Sequence, residues 1–103
     1  MDIQQQLDEL VKNHRVVLFM KGSPQFPQCG FSSRTVEALK ACGSEFEHVD
    51  VLQQPEVRQN LPQYSQWPTF PQLFIDGELV GGCDIVLDLF QRGELKNMLG
   101  AAN

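Results

Sequence analysis

Val16-Val17-Leu18-Phe19-Met20 is an apolar run with no polar interruption. A strand with one face in water alternates apolar and polar positions, so an unbroken run of this length reads as a central strand covered on both faces. The run is far too short to cross a bilayer. A chain built around it needs a sheet with helices packed above and below. Apolar residues make up 42% of the 103 residues, enough to fill such an interior within one domain spanning residues 1–103.

The flanking segments supply the rest of that architecture. Asp2 is placed to cap a first helix that carries Ile3, Leu7, Leu10 and Val11 on one face. Lys12 to Arg15 bring positive charge to its end. After the strand, Lys21-Gly22-Ser23-Pro24-Gln25-Phe26-Pro27-Gln28 is a loop punctuated by glycine and proline. A second helix is expected from about Cys29 to Cys42, with Val36 and Leu39 inward and Gly43 as its stop. Glu45 to Val51 reads as a strand. Pro55 suits the first position of a short third helix, and Pro62 is expected to end it. Gln72–Ile75 and Glu78–Val80 flank Asp76-Gly77, a strong hairpin signal. Gly81-Gly82 opens a last helical stretch from Cys83 to Arg92, and Gly93 breaks it before Glu94 to Leu99.

The order is α-β-α-β-α-β-β-α. A helical crossover makes the first two strands parallel and right-handed, and the hairpin makes the last two antiparallel. The expected fold is α/β: a four-stranded mixed sheet flanked by helices on both faces. This order, with a cysteine where the first strand feeds its helix, is similar to the thioredoxin-like arrangement.

Charge narrows the function. Eight Lys and Arg against 13 Asp and Glu leave a net charge of −5. Nucleic-acid binding and adhesion to an anionic membrane both need clustered cations, so neither is expected. Met1-Asp2-Ile3-Gln4-Gln5-Gln6 has neither the basic nor the apolar segment of a leader. Three widely spaced cysteines, Cys29, Cys42 and Cys83, are not the even, dense set of a secreted scaffold. A reducing, cytoplasmic setting is expected.

Cys29 is the candidate reactive residue. At a helix start, free N–H groups and the positive end of the helix dipole favour thiolate over thiol. A thiolate is both a nucleophile and a metal ligand. Ser32 stands where a Cys-x-x-Cys motif would carry its resolving thiol, so a two-cysteine exchange cycle is not available within Cys29-Gly30-Phe31-Ser32. Cys42 reads as a small buried hydrophobe. His48 lies in an expected strand with no metal-spaced partner and His14 ends a helix, so both read as structural rather than as ligands.

The Cys-Gly-Phe-Ser motif at 29–32, Lys21-Gly22-Ser23-Pro24, Trp67-Pro68-Thr69-Phe70-Pro71 and Gly81-Gly82-Cys83-Asp84 occur in order across the whole chain. Together they resemble a monothiol glutaredoxin of the CGFS type, in its short bacterial form. That resemblance implies a glutathione site and a [2Fe–2S] cluster shared between two subunits. Such a cluster takes four thiolates, which one Cys29 and one glutathione from each of two chains would supply. Lys21 and Arg58 are then the contacts to the glycyl carboxylate of glutathione, for which a guanidinium fork is well suited. Pro71 would be cis, presenting the backbone of Phe70 to the cysteinyl part. Cys83 offers backbone N–H at a helix start for the γ-glutamyl carboxylate, and Asp84 either accepts from its ammonium or caps the helix. Trp67 shapes the same wall or serves in packing. Phe26 and Phe31 either screen a cluster from water or pack within the loop.

Two functions follow from the resemblance. The first is a carrier that delivers its cluster to iron–sulfur acceptor proteins, as a homodimer or with a BolA-like protein as partner. The alternative is a glutathione-dependent thiol–disulfide oxidoreductase acting through one thiol, with Cys83 as a resolving thiol if it approaches Cys29.

Overall fold

The computed structural model describes residues 2–100. Asp2 starts the first helix, α1 (Ile3–Asn13), through a capping box: its carboxylate accepts from the Gln5 N–H at 2.9 Å, and the Gln5 side chain accepts from the Asp2 N–H at 3.3 Å. The elements that follow are β1 (Val16–Met20), α2 (Gly30–Ala41), β2 (Glu47–Asp50), α3 (Pro55–Ser65), β3 (Gln72–Ile75), β4 (Glu78–Gly81), α4 (Cys83–Gln91) and α5 (Glu94–Gly100). Strand order is β2-β1-β3-β4, with β1 parallel to β2 and antiparallel to β3, and β3 antiparallel to β4. This is the thioredoxin fold expected from the element order.

All of β1 is buried, and its residues divide by parity. Val16, Leu18 and Met20 join Val36 and Leu39 of α2, Val86 of α4 and Leu95 of α5 in one apolar layer. Val17 and Phe19 join Leu7 and Val11 of α1 and Val57 and Leu61 of α3 in the other. Successive strand residues face opposite sides, so an unbroken apolar strand is what two helical layers require. The Phe19 ring meets Phe74 edge-on at 5.6 Å, a geometry worth about 1 kcal/mol beyond the area buried.

Three departures from the sequence reading have physical causes. Pro62 does not end α3, which runs on to Ser65. The extra turn brings Tyr64 against α1, where its hydroxyl donates to Asp8 Oδ1 at 2.7 Å and its ring packs on Phe74. Packing on the second layer outweighs the missing N–H of one proline. Gln66, in a left-handed conformation, closes the helix instead. Arg15 does not serve the end of α1. It pairs with Asp76 at 3.1 Å and donates to the carbonyls of Met98 and Leu99, completing the C-terminal turn of α5. Cys42 is half-buried rather than buried, sitting against the first layer as the C-cap of α2.

Candidate functional site

The loop between β1 and α2 is tied at both ends. Gln28 N–H donates to the Lys21 carbonyl at 2.9 Å, and Ser23 and Phe26 exchange backbone bonds at 3.3 and 3.1 Å. Gly22 N–H donates to Asp50 Oδ1 at 2.9 Å, which also accepts from Leu52 N–H at 2.9 Å. The loop is therefore a small hairpin anchored to the end of β2. Gly22 sits at φ +90°, and a Cβ there would lie 2.5 Å from the Phe26 carbonyl and 2.7 Å from Gln28 N. Only glycine fits the place where this loop closes.

Cys29 is the N-cap of α2, in extended conformation. Its sulfur closes no cap hydrogen bond of full geometry, yet the Ser32 N–H faces it and is the largest influence on its acidity. That N–H holds the thiol below its ordinary value of 9.0; burial opposes it, while the Phe31 N–H, the Lys21 charge and the Ser32 hydroxyl add to it. Ser32 is fully buried, and its Oγ accepts from the Lys21 N–H at 3.1 Å. In the sequence Ser32 registers only as the place of an absent thiol. The structure makes it the joint between the end of β1 and the start of α2, with its own proton free to face the sulfur.

These causes set a pH order among the cysteines. Burial raises the Cys42 thiol, with the Lys96 charge partly opposing. Below its pKa a thiol is protonated and slow to alkylate; lowering the pKa moves the onset of reaction to lower pH. Cys29 is expected to begin reacting with iodoacetamide at lower pH than Cys42, read by mass spectrometry of each cysteine peptide. The reverse order would contradict the electrostatics described here.

The segment before β3 and the start of α4 line the same cleft as Cys29. The Phe70–Pro71 bond is cis. Gly82 is the N-cap of α4, so Asp84 does not take up the capping role open to it; its carboxylate is exposed in the first helical turn. A Cβ on Gly82 would lie 3.2 Å from Trp67 Nε1 and 3.3 Å from the Pro71 carbonyl, so the indole packs directly beneath the helix start. Lys21, Cys29, Arg58, Phe70, Cys83 and Asp84 all line one cleft of about 820 Å³. Lys21, Cys29 and Phe70 are half-buried, Arg58 is exposed, and Cys83 is buried. Phe26 and Phe31 are 75% and 54% exposed, so neither is packed away within the loop. A second hollow of about 770 Å³, beside Cys42 and Lys96, holds none of the six residues.

Residues 16–80 match the profile of the glutaredoxin family. Glutaredoxin 4 of Escherichia coli (strain K12) is 56% identical over 97 residues, covering 94% of this chain and 81% of its own. The chain belongs to the glutaredoxin family, in its monothiol CGFS branch. The solution structure of reduced poplar apo GrxS14 has 50% identity and a TM-score of 0.82, covering 97% of this chain and 92% of its own. A crystal structure of a buckwheat glutaredoxin–glutathione complex has 28% identity and a TM-score of 0.83, covering 95% of this chain and 87% of its own. The family profile stops before α4, whereas these matches, over 94% and 97% of this chain, take in Cys83 and Asp84 of this glutaredoxin.

The structural roles of Ser32, Asp50 and Gln72 lie outside the sequence reading. Gln72 had a visible signal, a polar residue opening an otherwise apolar strand. Asp50 had none, because its role depends on how closely the end of β2 approaches Gly22. Among the described residues no helix is long and apolar enough to cross a membrane, and no three His, Cys, Asp or Glu side chains converge as a metal set.

Proposed function

We propose that this glutaredoxin binds glutathione in the cleft and uses the Cys29 thiolate, with that of glutathione, to carry a [2Fe–2S] cluster between two subunits. The observation that carries the reading is the convergence of Lys21, Arg58 and the N-terminus of α4 around one acid-shifted thiol. Glutathione has a carboxylate at each end and a thiol between, and one cleft is lined both by the cations Lys21 and Arg58 and by the N-terminus of α4. Lys21 and Arg58 would hold the glycyl carboxylate, the backbone of Phe70 the cysteinyl part, and Cys83 N–H with Asp84 the γ-glutamyl end. A relative crystallised with glutathione supports that ligand.

The donor set fits a shared cluster as cargo. Cys29 is half-buried at the cleft rim with exposed Phe31 beside it, while the Cys83 sulfur is buried. Each chain therefore offers one rim thiolate, and two chains with two glutathiones reach the four that a cluster takes. The recipients would be iron–sulfur acceptor proteins in the cytoplasm, with a second copy or a BolA-like protein across the cluster. Neither nucleic acid nor a membrane enters this reading. An acid-shifted thiol is also a nucleophile, which favours glutathione-dependent thiol–disulfide exchange as the second activity of the same site.

Titration with glutathione tests the ligand reading. Lys21→Ala and Arg58→Ala are each expected to weaken binding about tenfold, the value of one charge-assisted hydrogen bond. Melting should stay within about 0.5 kcal/mol of the parent for exposed Arg58 and within about 1 kcal/mol for half-buried Lys21. Unchanged affinity in both variants would return them to ordinary solvated charges.

A further inference from the structure

Gln72 is fully buried at the start of β3, paired with Phe19 of the central strand. Its Nε2 donates twice, to the Trp67 carbonyl at 2.9 Å and to the Thr69 carbonyl at 3.1 Å. Its Oε1 is buried and finds no hydrogen-bond partner among the described residues. A buried acceptor without a partner is destabilising, and methionine would fill the same space without one. The amide is thus a poor choice for packing alone. What it achieves is to clamp the backbone on both sides of Pro68, in the wall that leads into Phe70. The clamp extends to α4, because the Trp67 indole lies against Gly82 at the helix N-cap.

We propose that Gln72 is a positioning residue for the cleft: its side-chain amide sets the Trp67–Phe70 wall so that the Phe70 backbone and the start of α4 engage one ligand together. The inference rests on the reading of the cleft as a glutathione site. Gln72 touches no ligand itself. It acts through two carbonyls and one indole.

Calorimetric titration of the full chain with reduced glutathione, well below the melting transition, tests this. Gln72→Met keeps the volume and removes both donors. Glutathione affinity should fall about five- to tenfold, the effect of one or two neutral hydrogen bonds. The pH titration of the Cys29 thiolate, followed by ultraviolet absorbance, should not move, because its N–H partners belong to α2. Gln72→Glu supplies the matching control. A protonated carboxyl keeps one O–H donor for the two carbonyls and an ionised one keeps none, so its glutathione affinity should drop as pH rises through the pKa of the buried carboxyl. That step should be absent from the parent and from Gln72→Met. A purely structural role would lower the melting temperature while leaving the folded protein's affinity at the parent value. Parent-strength binding by folded Gln72→Met would overturn the inference alone, and that variant decides the matter even if Gln72→Glu does not fold. A parent protein that takes up no glutathione would overturn the reading of the cleft and this inference with it.

Discussion

Cys29→Ser is expected to give a folded protein that takes up no cluster and forms no mixed disulfide with glutathione. A serine hydroxyl near neutral pH is neither a comparable ligand nor a comparable nucleophile. The fold should not suffer. Cys29 is an N-cap whose side chain closes no full cap bond, and serine is among the preferred residues there. Thermal stability should be unchanged or higher by up to about 1 kcal/mol. The other cysteines are expected to behave differently. Cys42→Ser lies beside the first apolar layer, away from the cleft, and should keep the cluster at a cost of about 1 kcal/mol. Cys83→Ser should also keep the cluster, since the contact assigned to Cys83 is through its backbone. Visible spectra of the three reconstituted variants check the ranking. An intact cluster in Cys29→Ser, or loss confined to Cys83→Ser, would place the chemistry on another sulfur.

The second large effect is expected from a residue with no side chain. Gly22→Ala forces a Cβ to within 2.5 Å of the Phe26 carbonyl at φ +90°. Neither atom it meets first belongs to a flexible side chain, so the loop must open or the β1 end must shift. Backbone strain and overpacking together should cost about 2–4 kcal/mol. For a domain of this size that is a fall in melting temperature of roughly 10–25 °C. Gly30, on the other side of Cys29, is the control: a Cβ there meets nothing within 4 Å. Gly30→Ala should melt within about 1 kcal/mol of the parent. Equal melting of the two variants would contradict the loop geometry.

What could be read from sequence, and what could not, divides along a physical line. Local signals were sufficient for most of the fold. The Val16–Met20 run, the Asp76-Gly77 turn and the Asp2 cap each act over a few residues, and each appears where expected. Pro62 shows the limit of such signals. A local preference worth a few kcal/mol was overridden by the packing of Leu61 and Tyr64 on a distant helix. The site follows the same division. Cys29 and its helix start are adjacent in sequence, so its chemistry was visible. Lys21, Arg58, Phe70 and Asp84 were named through resemblance, and the fold then brings them to one cleft. Ser32 and Asp50 act through bonds to backbone groups, which leave no spacing pattern to find, and Gln72 shows in the sequence only as a polar residue opening an apolar strand.

Anaerobic reconstitution with iron and sulfide, run with and without glutathione and followed by a sizing column, tests the central claim most directly. The account predicts that visible cluster absorbance develops only when glutathione is present and elutes with a dimer, while protein without a cluster elutes as a monomer. A stable cluster on a monomer, or one that forms equally well without any small thiol, would contradict it.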